Sequence, residues 1–240
     1  MNPYGVDVRE DNLIGPLARL KIIYDEIPAT TGCEKCEEVN GKEDKHWCCT
    51  SNSPSMYYTE FLYVWQEVQK WGKQKRKDLI LRAIRNYLSN SLHKSCIFYV
   101  DGCSCYQHRP LMCRFYGVIN KDSWNRRLDV LKDRQKDKFS CRDQCSLVSI
   151  CQDGYKSDSI NPKDEDKWFL DIRQCEKRIG VNGVSIALHD KPGGSYRTFH
   201  DHLLIELFEP VFLEMLSKMR MSNPSPEDID KTIIAVEGML

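Results

Sequence analysis

The sequence predicts a mainly α protein: a helical hairpin bringing together cysteine-rich metal-binding loops, with a helical C-terminal extension and little β. Three observations predict this class. Apolar residues recur at steps of three and four through most of the chain. Twelve cysteines among 240 residues cluster in the polar stretches between those segments. Only two short runs, 117–120 and 184–188, read as strands. Residues 1–120 form a cysteine-cluster metal-binding domain in this reading, and residues 121–240 a helical extension packed on it as one unit.

The helices follow in order. Asp11 caps a first helix over residues 11–26, with Leu13, Leu17, Leu20 and Tyr24 on one face and Ile27-Pro28 at its end. The polar loop 29–52 needs a crosslink or a metal to hold one shape. Ser53-Pro54 reads as a cap and first-turn proline for a helix to about Trp71, burying Tyr58, Phe61, Leu62, Trp65 and Val68. After a turn at Gly72 and the basic run 73–77, a second amphipathic helix reaches about Leu92 through Ile80, Ala83, Ile84, Tyr87 and Leu88. The two are expected to pack antiparallel through their apolar faces. A charged helix is predicted over 123–138. Asn161-Pro162 opens another that buries Trp168, Ile172, Cys175 and Ile179 and stops at Gly180. The last third is predicted as helix over 199–221, interrupted at Pro210, and over 226–238, capped by Ser225.

Composition narrows the function classes. Thirty-five Lys and Arg balance 35 Asp and Glu, so no global field draws the chain to nucleic acid or lipid, and neither partner is expected. The N-terminus MNPYGVDVRED has no basic and apolar signal pattern, and no apolar run approaches the roughly 20 residues of a membrane span. A cytoplasmic location follows as the expectation. Thiols stay reduced there, and clustered cysteines bind metal or do redox chemistry.

Two cysteine groups carry the chemistry. The first is Cys33-x2-Cys36 in GCEKC followed by adjacent Cys48-Cys49 in HWCCT; the second is Cys96, Cys103 and Cys113 within CIFYVDGCSCYQHRPLMCR. Two residues between thiols let a tight turn aim both at one metal. A thioredoxin-type redox pair is the alternative for Cys33 and Cys36, but it needs a strand before and a helix after, and the polar loop supplies neither. Neighbouring side chains diverge, so Cys48 and Cys49 need not serve one ion. Arg109 and Arg114 flank the last thiolate, where guanidinium N–H groups would offset cluster charge and bond to sulfur.

The motif of Cys33, Cys36, Cys48 and Cys49, followed by Cys96, Cys103, Tyr106, Arg109-Pro110, Cys113 and Arg114, resembles the YkgJ-type cysteine-cluster proteins, the CxxCxxCC putative zinc- or iron-chelating domain. The resemblance spans roughly residues 28–118. Eleven residues part Cys36 from Cys48, where the family pattern is compact, and Cys105 stands where the family tends to have an apolar residue. The resemblance implies an iron–sulfur or zinc protein; flagellin lysine methylases are the members whose activity it suggests. Seven matched cysteines exceed the needs of one tetrahedral zinc, which favours an iron–sulfur cluster, most simply 4Fe–4S, with zinc as the alternative.

Other candidates are weaker. Cys141, Cys145 and Cys151 lie outside the match, with a metal role and a structural one standing equal. Cys175 reads as helix core. His200 and His202, two residues apart at a helix start, point away from each other and read as ordinary polar positions capped by Thr198 rather than as a metal site with His189. No nucleotide-binding fingerprint or nucleophile triad is visible. The function expected is cysteine-ligated metal binding, most simply a cluster used in redox chemistry or in modifying a protein or small molecule with an unknown partner. A structural zinc module mediating protein interaction is the alternative, and whether the chain is an enzyme stays open.

Overall fold

The computed structural model describes residues 10–28, 47–50, 53–89, 94–115, 118, 123, 160–181 and 195–240. The expectations for Cys33, Cys36, Cys141, Cys145, Cys151, the helix at 123–138 and the strand at 184–188 fall outside these residues, apart from Ser123. In chain order the elements are α1 (Glu10–Glu26), a short α2 (Trp47–Thr50), β1 (Ser55–Met56), α3 (Tyr58–Gln69), α4 (Lys73–Leu88), a 3-10 turn (Tyr106–His108), α5 (Leu111–Phe115), α6 (Pro162–Arg178), β2 (Arg197–Thr198), α7 (Phe199–Leu207), α8 (Pro210–Met221) and α9 (Pro226–Glu237). The fold is mainly α, with a single two-stranded antiparallel sheet among the described residues.

Local chemistry sets most of the boundaries. Prolines occupy the first turns of α6, α8 and α9, where a missing N–H costs nothing. Asn161, Thr198 and Ser225 accept backbone N–H groups as N-caps of α6, α7 and α9. Gly180, just past α6, takes φ +79°, the left-handed conformation that glycine adopts without a Cβ penalty. One boundary differs from expectation. Ser53-Pro54 does not open α3, because Ser55 and Met56 pair with Thr198 and Arg197 as a strand. The helix starts at Tyr58 instead, with the Glu60 carboxylate accepting the Tyr57 N–H at 2.9 Å.

The apolar faces sort into two cores. The larger gathers Phe61, Val64 and Val68 of α3, Leu79, Ala83, Ile84 and Leu88 of α4, and Leu203, Leu204 and Ile205 of α7, with α8 and α9 closing it. The smaller joins Leu20, Ile23 and Tyr24 of α1 to Leu111 and Phe115 of α5 and Trp168 and Ile172 of α6. Helix α4 lies chiefly against α7 and α9, and α3 chiefly against α1 and α6. The expected packing of α3 on α4 is therefore not the main contact of either, because the C-terminal helices supply larger apolar partners. Each core draws on residues from both 1–120 and 121–240. The segment carrying Cys96 to Cys113 runs between them, with Ile97, Phe98 and Cys105 in the larger core and Leu111 in the smaller.

Among the described residues no helix is long and apolar enough to cross a membrane.

Candidate metal centre

Two hydrogen bonds, one main-chain and one from a serine side chain, bring the segments of Cys49 and Cys96 together. The Cys96 N–H donates to the Cys49 carbonyl at 2.7 Å. The Ser95 hydroxyl donates to the Thr50 carbonyl at 2.7 Å, and the Asn86 side chain, from the last turn of α4, donates to the Ser95 carbonyl at 2.6 Å. Residues 49–50 and 95–96 are thus tied to each other and to the end of α4.

From Cys96 the chain turns back on itself. Asp101 and Gly102 both take positive φ, 53° and 143°, and Tyr99 bridges antiparallel to Cys103. Asp-Gly is a favoured pair for such a reversal, since both residues tolerate the left-handed region. The 3-10 turn and α5 then carry Arg109, Pro110 and Cys113 back past the same spot. The result is one pocket lined by Cys49, Cys96, Cys103, Cys105 and Cys113, with Arg109 and Pro110 on the wall and Phe98, Phe199 and Met56 as its apolar backing. No three or more His, Cys, Asp or Glu side chains among the described residues group closely enough to hold a single metal ion.

A buried carboxylate holds the far side of the loop. Glu60, on the first turn of α3, accepts the Leu111 N–H at 2.6 Å and the Tyr24 hydroxyl at 2.8 Å, besides Tyr57 N–H. Burial pushes its carboxyl pKa up against those three donors. The first turn of α5, and with it Cys113, is fixed by a side chain 51 residues away in sequence from Leu111.

The two arginines have different jobs. Arg109 lines the pocket, stacks on the Tyr106 ring with 3.5 Å to the centroid, and donates from Nε to the Tyr106 carbonyl at 3.0 Å. Arg114 stands behind it. Its fork donates to the carbonyls of Arg109 at 2.8 Å and Gln107 at 2.7 Å, and its guanidinium lies over the Tyr24 ring at 4.3 Å. Arg114 holds the loop rather than lining the pocket.

The thiols feel one another. Burial first, then the thiolates of Cys49 and Cys103, push the Cys96 pKa to about 12, while Phe98 N–H and Arg82 of α4 pull the other way. Burial, then Cys96, Cys49 and Cys103, raise Cys113, with Arg109 opposing. Cys103 moves down, because the Cys105 S–H and N–H both bond to it and Arg109 stands near. Cys105 moves up as the donor of that pair.

Four of the seven predicted metal ligands, Cys49, Cys96, Cys103 and Cys113, therefore meet at one pocket. Cys33 and Cys36 lie outside the described residues, and Cys48 is placed in α2 by its backbone alone. Cys175 is buried on α6 and does not line the pocket. The histidines pin the sheet: His202 pairs through Nε2 with the Met56 carbonyl at 3.1 Å, and His200 through Nδ1 with the Ser53 hydroxyl at 3.2 Å. Cys105, which takes the packing position expected of it in the larger core, also lines the pocket, and it and Glu60 are the neighbours whose place beside the ligands sequence reasoning missed. The Cys-x-Cys spacing at 103–105 was the available signal for the first; nothing in the spacing distinguishes Glu60 from other helix-start glutamates.

Compared with known proteins, the chain matches no family model, no curated protein and no solved structure.

Proposed function

We propose that this protein is a cysteine-ligated metal protein of the YkgJ type, carrying an iron–sulfur cluster on Cys49, Cys96, Cys103 and Cys113 for redox chemistry or for modification of a protein or small molecule. The observation that carries the reading is the convergence of these four cysteines, from two segments 47 or more residues apart in sequence, on one pocket beside Arg109. The donor set suits the group. Iron–sulfur clusters take cysteine thiolates, and each thiolate binds a different iron, so the sulfurs need only ring a shared cavity. Mononuclear zinc asks instead for four donors at about 2.0–2.3 Å from one point. Mutual repulsion and burial make the thiolates of Cys96 and Cys113 costly by themselves, and a bound cationic core relieves both. The cluster would supply one-electron chemistry; the chain's own residues hold the thiolates in place and put a guanidinium beside them. Arg109 offsets thiolate charge, and Arg114 and Glu60 fix the loop on which Cys113 rides. The expected hairpin role is supported by the Cys96-to-Cys49 junction at the end of α4.

The test is anaerobic purification followed by iron, sulfide and zinc analysis and an absorption spectrum. Brown protein with iron and sulfide in stoichiometric amounts and a broad band near about 400 nm is the expected result. Colourless protein with stoichiometric zinc would remove the cluster and leave a structural zinc module. Protein holding neither metal after anaerobic reconstitution would remove the metal reading itself.

A further inference from the structure

Cys103 and Cys105 have a relation the metal reading does not use. Their Sγ atoms are 3.9 Å apart, and one residue, Ser104, separates them. Ser104 is itself fixed, since its N–H and its hydroxyl both donate to the Phe98 carbonyl at 2.9 Å. The antiparallel bridge from Tyr99 to Cys103 holds the same turn from the other side. Both sulfurs line the pocket; Cys105 is buried, whereas Cys103 is half-buried with Arg109 on the same wall. A partner thiol is thus held against a more accessible one by backbone bonds rather than by chance side-chain placement.

We infer that Cys103 and Cys105 form a dithiol that closes to an intramolecular disulfide on exposure to peroxide, and that closure withdraws Cys103 from metal binding. The second half rests on the metal reading above; the first does not. In the first step Cys103 sulfur attacks one peroxide oxygen, the O–O bond breaks, and Cys103 becomes a sulfenic acid with release of water. In the second, Cys105 sulfur attacks the Cys103 sulfur, the S–O bond breaks and a second water leaves. Two thiols are oxidised, one peroxide is reduced to two waters, and the two thiol protons leave with the oxygens. Closing the gap to a bond of about 2.05 Å asks for side-chain rotation and a small adjustment across one residue.

The experiment uses the full chain, stripped of metal and fully reduced, treated with hydrogen peroxide and then alkylated. Fragment mass spectrometry locates the bond, and ferrous iron with sulfide is offered to parallel samples. The expected result is a Cys103–Cys105 linkage two mass units lighter, a several-fold loss of iron uptake, and recovery of both on reduction with a thiol. Cys105→Ser should yield no disulfide within residues 103–105 and should leave Cys103 as a sulfenic acid that dimedone traps. A bond from Cys103 to Cys96 or Cys113, or a Cys105 that remains alkylatable throughout, overturns the dithiol. Linked wild-type protein that takes up iron as fully as the reduced form overturns the withdrawal of Cys103. If the reduced protein takes up no iron yet the Cys103–Cys105 bond forms, the metal reading falls and the dithiol stands.

Discussion

Glu60 shows how much of the centre depends on one side chain outside the cysteine motif. Three donors from three segments, Tyr24 O–H, Tyr57 N–H and Leu111 N–H, converge on its carboxylate. Truncation leaves Tyr24 O–H and Leu111 N–H buried without this partner, at roughly 1–3 kcal/mol for each unsatisfied group, and also frees the part-buried Tyr57 N–H. Glu60→Ala should therefore lower unfolding stability by about 3 kcal/mol or more, measured in urea, and Glu60→Gln by clearly less because its amide oxygen still accepts. The cysteines divide differently. Cys103→Ser and Cys113→Ser should each lose bound metal in elemental analysis, whereas Cys175→Ser, on the buried side of α6, should keep it. Equal loss in all three variants would show that the pocket does not define the ligand set.

At the scale of elements, the start of α3 is held by a second carboxylate. Glu176 of α6 accepts the Tyr58 N–H at 2.6 Å and the Ser195 hydroxyl at 2.5 Å. Burial outweighs these bonds and lifts its pKa from 4.5 to about 7. The folded state thus holds this proton more tightly than the unfolded chain, so its contribution to stability is fully present below pH 4.5 and is lost as pH rises to about 7. The loss is on the order of 3 kcal/mol. Urea unfolding across that range should show it in the wild type and a flatter profile in Glu176→Gln. The helices themselves were legible: caps at Asn161, Thr198 and Ser225, the break at Pro210 and the stop at Gly180 all follow from single residues with local consequences. The start of α3 was not, because Ser53-Pro54 carries a valid cap signature, and only the pairing of Ser55 and Met56 with a strand more than 140 residues later overrides it. The choice of helix partners was equally hidden, since an apolar stripe specifies burial but not against what. In the centre, the cysteine spacing and the Arg-Pro motif marked the pocket, and the one-residue step from Cys103 to Cys105 was there to be read, while Glu60 acts through tertiary contacts that no spacing encodes.

Across the whole molecule, both cores formed by the described residues are shared between the two halves. The strand of residues 55–56 pairs with that of 197–198, α4 is covered by α7 and α9, and α1 by α6. A chain cut after residue 120 would expose the apolar face of α4, including Leu79, Ala83, Ile84 and Leu88. At roughly 1.5–3 kcal/mol for each large side chain, that loss is comparable to the roughly 5–15 kcal/mol by which a whole domain is stable. Residues 1–120 expressed alone should therefore show no cooperative urea transition and poorly dispersed amide resonances, while the full chain unfolds in one step. A sharp transition in the fragment would establish that the cysteine segment is an independent domain.

The seam between residues 49–50 and 95–96 has a practical corollary. It is stitched by the Cys96 N–H, the carbonyls of Cys49 and Thr50, and the Ser95 hydroxyl, so neither cysteine sulfur takes part in it. Nature has separated the hinge pin from the tool. Exchanging either thiol for a methyl or a hydroxyl leaves every one of those bonds available, and such variants become built-in controls: what they lose reports on what sulfur does, with the meeting of the two segments left intact.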